Sequence, residues 1–160
     1  MGQQQLLLLV LSTVIVGLAT VAGIQAFDEG QSQATQDALT QRGLTIGTDI
    51  TAVLNQPSQL GGVSFGSDKS SIAAAAGLND KGSNPGQGIP APGAGNTATC
   101  DIKTVTGSGS DGSITIVCAE NGANNTNASD TEGIGQTVTV SADMEGSKVT
   151  SINGTDIGSI

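Results

Sequence analysis

The chain has 160 residues and a net charge of −9, because 14 acidic residues stand against 5 basic ones. This balance argues against binding to nucleic acid or to anionic lipid headgroups, both of which require clustered Lys and Arg. No His is present, which excludes His-based acid–base and triad chemistry, and we expect no enzyme, no catalytic residue, no metal site and no cofactor.

The first element in the chain is an apolar segment, residues 6–27, which ends just before the first charged residue, Asp28. As a helix it would be about 33 Å long, enough to cross the hydrocarbon core of a bilayer. A secretory signal peptide is disfavoured, because no Lys or Arg precedes the segment and its apolar core is too long. A single-span membrane anchor and a helix that packs among copies of itself remain as the two alternatives.

The helical pattern continues beyond the apolar segment and stops at Pro57. We therefore predict one helix over residues 1–56, apolar in its first half and amphipathic in its second, and a head over residues 57–160. Each glycine within this helix costs about 1 kcal/mol relative to Ala, which favours local melting or kinking. In an apolar helix small residues also let helices approach closely, so Gly17, Ala19 and Gly23 are equally candidates for a packing role. The predicted apolar face comprises Phe27, Ala34, Ala38, Ile46, Ile50, Val53 and Leu54, with Leu39, Ile46 and Val53 on an adjacent stripe, and the glycines are Gly17, Gly23, Gly30, Gly43 and Gly47.

The start of the head, residues 57–99, is rich in Gly, Ser, Ala and Pro and is predicted to be mostly loop. A short helix is predicted at residues 70–78, capped by Ser70 or Ser71 and limited by Gly77. The stretch PGQGIPAPGAG is predicted to be a linker-like run of turns.

The rest of the head has the pattern of antiparallel strands. Residues 97–106 and 113–120 flank GSGSDG, and residues 136–142 and 148–153 flank DMEG, which predicts two hairpins. Val138 and Val140 alternate with hydroxyl residues, so one face of that strand points inward. With the tail adding an edge, we predict an α+β head in which about four antiparallel strands pack on the amphipathic half of the helix.

Two further features of the head concern covalent chemistry. Cys100 and Cys118 are the only cysteines, and an even number after an export-type segment favours a disulfide over two free buried thiols. Asn124, Asn127 and Asn153 begin Asn-x-Ser/Thr sequons, which makes them candidates for glycosylation, although such sequons also arise by chance in a chain rich in Thr and Asn.

An apolar helix at the extreme amino terminus, an amphipathic continuation and a disulfide-bearing β-rich head together resemble a type IV pilin. The opening MGQQQLLLLVLSTVIVGLATVAGIQAF, followed by a helix and a QLGG turn, is similar to a group of pilin-like bacterial proteins that begin MGQQQLLL, and this resemblance covers residues 1–62. It implies a helical filament with the apolar helices in a central bundle and the heads outside. The helix residues expected in that bundle are Gln5, Leu6, Leu9, Val16, Gly17, Gly23 and Phe27.

The same resemblance implies the partners and the location of the chain. The partners are copies of itself and the inner-membrane pilus assembly machinery, with the membrane holding the subunit before assembly and no nucleic acid involved. The chain departs from the family in lacking a basic leader and in carrying Gln5 where pilins carry a glutamate. Gln3, Gln4 and Gln5 either form amide–amide hydrogen bonds between helices or lie at the membrane interface.

Overall fold

The computed structural model describes residues 2–78, 88–108, 111–121, 135–153 and 155–157. Its longest element is α1, a continuous α-helix over Gly2–Leu54, which the glycines predicted to melt or kink it do not interrupt. The chain divides into two compact units, Met1–Ala34 and Thr35–Ile160, so that α1 begins in the first unit and ends in the second.

The part of α1 that lies in the second unit buries one face at helical spacing. The predicted face is wrong at its amino-terminal end, because Phe27 is 75% exposed and Ala34 is also exposed. Both belong to the first unit, and the buried face begins only at Leu39, inside the second. The buried residues of α1 are Leu39, Gly43, Ile46, Gly47, Ile50, Val53 and Leu54.

Two short helices follow α1, a 3-10 helix over Ser58–Leu60 and α2 over Lys69–Ala75. The prediction that Ser70 or Ser71 caps α2 is wrong, because Asp68 occupies the N-cap position. Both serines lie within the first turn and donate their hydroxyls to the Asp68 carboxylate, in the case of Ser71 over 2.7 Å. Asp is favoured at the N-cap position as much as Ser is, although the Asp68 carboxylate accepts from these two hydroxyls and makes no capping hydrogen bond to the helix backbone.

The strands of the second unit form one antiparallel sheet whose spatial order is the chain order, β1-β2-β3-β4-β5-β6. Both predicted hairpins are confirmed within two residues at every strand end, and the tail adds an edge strand as expected. The strands are β1 Ile89–Pro90, β2 Thr99–Thr106, β3 Ser113–Ala119, β4 Thr137–Ala142, β5 Ser147–Ile152 and β6 Thr155–Asp156.

Strand β1 falls within the stretch that was predicted to be a linker. Ile89 is fully buried and Ala91 and Ala94 are about 1% exposed, so this part of the chain belongs to the core. The Arg42 guanidinium of α1 also donates to the Pro90 carbonyl oxygen over 3.0 Å. The Gly and Pro residues here shape turns around a buried segment instead of forming a linker.

One face of the sheet packs on the second half of α1. Ile116, Val138 and Val140 are fully buried in the same hydrophobic cluster as Ile46 and Ile50 of the helix. Thr139 and Ser141, which alternate with the two valines, lie on the opposite face and are partly exposed. The α+β fold predicted from the sequence, a long amino-terminal helix with a small antiparallel sheet, is therefore confirmed.

Candidate functional site: the exposed apolar helix

The apolar segment lies wholly in the first unit and is exposed on every side. Its large apolar side chains present on the order of 1,500 Å² to the surroundings, whereas the largest apolar patch of a typical monomer is about 300–600 Å². At about 25 cal/mol per Å², keeping that area in water would cost roughly 40 kcal/mol. The side chains, each 51–75% exposed, are Leu6, Leu7, Leu8, Leu9, Val10, Leu11, Val14, Ile15, Val16, Leu18, Val21, Ile24 and Phe27.

The hydroxyl groups of the apolar segment are satisfied within the helix itself. Ser12, Thr13 and Thr20 each donate to a backbone carbonyl oxygen three residues earlier, and all three distances are 2.8 Å. A polar group without a partner would cost several kcal/mol in hydrocarbon. The side chains of these three residues therefore meet the requirement for an environment without water.

The expected bundle residues lie together on this exposed part of α1. Gln5, Leu6, Leu9, Val16, Gly17, Gly23 and Phe27 are all exposed and all belong to the first unit. A Cβ added at Gly17 or Gly23 would meet no heavy atom within 4 Å. Packing within the chain therefore does not explain these two glycines, each of which costs about 1 kcal/mol of helix propensity.

The two glycines in the second half of α1 are different, because the sheet lies directly against them. A Cβ added at Gly43 would stand 2.8 Å from Val140 Cγ2 and 3.4 Å from Cys118 Sγ. A Cβ added at Gly47 would stand 2.6 Å from Ser147 Cβ. These glycines allow the helix backbone to approach β4 and β5 closely, and sequence reasoning treated them only as weak points of the helix.

The predicted disulfide is present and joins neighbouring strands of the head. Cys100 of β2 lies directly opposite Cys118 of β3, and both residues are fully buried. The bond joins two residues that are 18 apart in the sequence and lies directly below α1. In the chain-entropy model a loop of this size contributes about 3 kcal/mol of stability, which a head built from small side chains needs.

Of the three sequons, only the last falls within the part of the chain that the structure describes. Asn124 and Asn127 lie outside the described residues. Asn153 is exposed and adopts a left-handed conformation with φ of 49°. Its side-chain amide donates to Gln136 Oε1 over 2.7 Å and its carbonyl oxygen accepts from the Thr137 backbone N–H over 2.9 Å, so its side chain ties the end of β5 to the start of β4.

A buried carboxylate in β2 was missed by sequence reasoning. Asp101 is fully buried, and its Oδ1 accepts a hydrogen bond from the Gly88 backbone N–H over 2.6 Å. Its Oδ2 lies 3.5 Å from Lys103 Nζ. The signal in the sequence is the Asp-x-Lys spacing, which places both side chains on the same face of a strand.

Among the described residues, α1 is the one helix long and apolar enough to cross a membrane by length and composition. No cluster of three or more potential metal ligands occurs in the described part of the chain. Comparisons with protein-family models, with curated proteins and with solved structures find no match to this chain. The exposed apolar helix is thus the feature from which a function can be argued.

Proposed function

We propose that this chain is a structural subunit that polymerises through its apolar amino-terminal helix into an extracellular filament of the type IV pilus kind. The observation that carries the proposal is the apolar segment, residues 6–27, whose large apolar side chains are each 51–75% exposed. The free energy of this exposure supports the proposal. Keeping the apolar area in water would cost roughly 40 kcal/mol, which exceeds the 5–15 kcal/mol by which a whole domain is usually stable.

The mechanism follows from the two environments that can shield such a helix. The bilayer holds each subunit before assembly, with the head on the outer side of the inner membrane. The assembly machinery then moves the helix from lipid to the helices of other copies, which shield the same surface. The acidic head, held together by its disulfide, remains in solvent as the outer shell of the filament.

A second candidate is a single-span envelope protein whose exposed head binds a partner. It is favoured by the length and composition of α1, which suffice for a membrane anchor. In that case the lipid shields the helix permanently and no polymer forms.

The experiment that tests the proposal compares two identical substitutions at equally exposed leucines. Leu9 in the apolar segment is 65% exposed and Leu60 in the head is 70% exposed. Cells expressing the full chain are sheared, and the released material is sedimented and viewed by negative-stain electron microscopy. We expect the unaltered chain and Leu60→Gln to be recovered in thin filaments and Leu9→Gln to be depleted from them.

Two results would count against the polymer. One is recovery of the unaltered chain only from detergent-extracted membranes, which would favour the anchored protein. The other is equal filament yield from Leu9→Gln and the unaltered chain, which would remove the apolar segment from the assembly contact.

A further inference from the structure

The dipeptide Asn-Gly occurs twice in the chain, at residues 121–122 and 153–154. In this dipeptide the backbone nitrogen of the glycine can attack the side-chain carbonyl carbon of the asparagine, because glycine has no side chain to hinder the approach. Asn121 and Asn153 are both exposed, so burial protects neither of them. The two asparagines differ in how their side chains are held.

The side chain of Asn153 is held at both of its polar atoms. The residue begins the two-residue turn between β5 and β6, in which Ile152 pairs with Thr155, and its φ of 49° is of the kind that such a turn requires. Its carbonyl oxygen accepts from the Thr137 backbone N–H over 2.9 Å, and its amide donates to Gln136 Oε1 over 2.7 Å. Both bonds direct the side-chain amide toward the start of β4, and turning it toward the following backbone nitrogen breaks them.

The side chain of Asn121 has no comparable support. The residue lies in the turn that follows β3, and no hydrogen bond joins its side chain to the described part of the chain. The bonds that close the sheet at this point are made by the preceding residue. The Glu120 backbone N–H donates to the Gln136 carbonyl oxygen over 3.0 Å, and the Glu120 carboxylate accepts from the Gln136 backbone N–H over 3.2 Å.

We propose that Asn121 is the site at which this chain deamidates spontaneously, and that Gln136 and Thr137 protect Asn153 from the same reaction. The nitrogen of Gly122 forms a bond to Asn121 Cγ and gives up its proton, while the side-chain amide takes up a proton and leaves as ammonia. Water then opens the resulting succinimide ring at either of its carbonyl groups. The product is aspartate or isoaspartate, and water is the one co-reactant.

The two sites differ in what the reaction would do to the head. At Asn121 each product adds a negative charge beside Glu120, and isoaspartate adds a backbone methylene beyond the hydrogen bonds that Glu120 makes to Gln136. The sheet is therefore left intact. At Asn153 the same change would remove the amide that donates to Gln136 and would displace the backbone N–H that donates to the Thr137 carbonyl oxygen over 2.8 Å. Deamidation at Asn121 thus records the age of a chain without unfolding its head.

The rates of the two reactions can be measured in one sample. The purified full chain is kept in detergent at mildly alkaline pH, and portions taken over time are reduced, digested with trypsin and analysed by mass spectrometry. Cleavage after Lys103 and Lys148 places Asn121 in residues 104–148, where fragmentation locates it, and leaves Asn153 as the one asparagine of residues 149–160. In the native chain we expect Asn121 to convert at least about ten-fold faster, because Asn153 must first release two hydrogen bonds. In concentrated urea, which removes these bonds, the two rates should agree within about two-fold.

Substitution of Gln136 tests its role as a positioning residue. Gln136→Ala removes the acceptor for the Asn153 amide, and the conversion of Asn153 is expected to rise about three-fold to ten-fold. Gln136→Glu keeps an acceptor oxygen and should leave that rate unchanged. Asn121 in the same molecules is the internal reference and should convert at one rate in all three chains. Circular dichroism shows whether each variant keeps its fold, and the comparison of the native and denatured unaltered chain does not depend on either variant.

Three results would overturn this inference. One is equal conversion of Asn121 and Asn153 in the native chain. Another is a native Asn121 that stays unmodified while the same residue converts in urea. The third is a folded Gln136→Ala chain in which Asn153 converts no faster than before. None of these measurements involves filament yield, so their outcome is independent of the proposed function.

Discussion

Gly47 of α1 and Ser147 of β5 lie so close that a Cβ on the glycine would stand 2.6 Å from the serine Cβ. The contact occurs where the helix crosses the β4–β5 hairpin, and the Ser147 hydroxyl also donates to the Leu44 carbonyl oxygen over 3.4 Å. The head is therefore assembled around a helix backbone that has no side chain at its point of closest approach.

Replacing Gly47 by Ala is expected to destabilise the head by about 1–3 kcal/mol, because the overpacked helix must move away from β5. The gain in helix propensity, about 1 kcal/mol, offsets only part of this cost. The measurement is urea unfolding of the full chain in detergent, followed by circular dichroism. Gly30→Ala is the control, since its Cβ meets open space, and it should leave the unfolding midpoint of the head unchanged. Equal midpoints for both variants would contradict the close approach.

Removing the disulfide is expected to destabilise the head by about 3 kcal/mol. The double variant Cys100→Ala with Cys118→Ala should unfold at lower urea than the unaltered chain, and a reductant should have no further effect on it. Because both cysteines are fully buried, the unaltered chain should react with a thiol reagent only after denaturation and reduction. Thiol labelling of the native chain without reductant would show that the bond is incomplete.

Replacing Asp101 tests the buried carboxylate. Asp101→Ala removes the acceptor for the Gly88 N–H, and leaving that group unpaired should cost about 1–3 kcal/mol of stability. Asp101→Asn keeps a carbonyl oxygen at the same place and should cost less than Asp101→Ala. Thermal unfolding of both variants shows which of them loses more stability. If Asn is as destabilising as Ala, the negative charge beside Lys103 matters more than the hydrogen bond to Gly88.

The pH dependence of α2 depends on its N-cap. The Ser71 hydroxyl, which donates to the Asp68 carboxylate over 2.7 Å, holds the pKa of Asp68 below its ordinary value. Because the folded pKa is the lower one, this contribution to stability is present above the unfolded pKa and is lost as pH falls through the folded pKa. In an NMR titration Ser71→Ala should raise the pKa of Asp68, whereas Ser71→Thr, which keeps the hydroxyl, should not. An unchanged pKa in Ser71→Ala would assign the shift to another donor.

Local periodicity accounts for the parts of the fold that the sequence predicted. The helix was expected to end at Pro57 and does end at Leu54, and Gly77, with φ of 67°, follows the short helix α2 as expected. Val138 and Val140 alternate with hydroxyl residues at strand spacing, and both are fully buried. Each of these signals lies within a few residues of the element that it predicts.

The parts that escaped prediction depend on contacts between distant segments. The stretch around Ile89 has the composition of a linker, and only pairing with β2 makes it a strand. Gly43 weakens an isolated helix, and only the presence of Val140 gives it a packing role. The apolar segment was predicted in full, since its composition alone indicates that it must be shielded from water.

The internally bonded hydroxyls of Ser12, Thr13 and Thr20 have one more consequence. In the proposed transfer from acyl chains to protein, these three hydroxyl groups would keep their hydrogen bonds. Around them only dispersion contacts would change partners, and the sum of those contacts depends on how tightly the new neighbours fit. The preference of the subunit for lipid or for its own kind would then be tuned by side-chain volume, one methylene at a time.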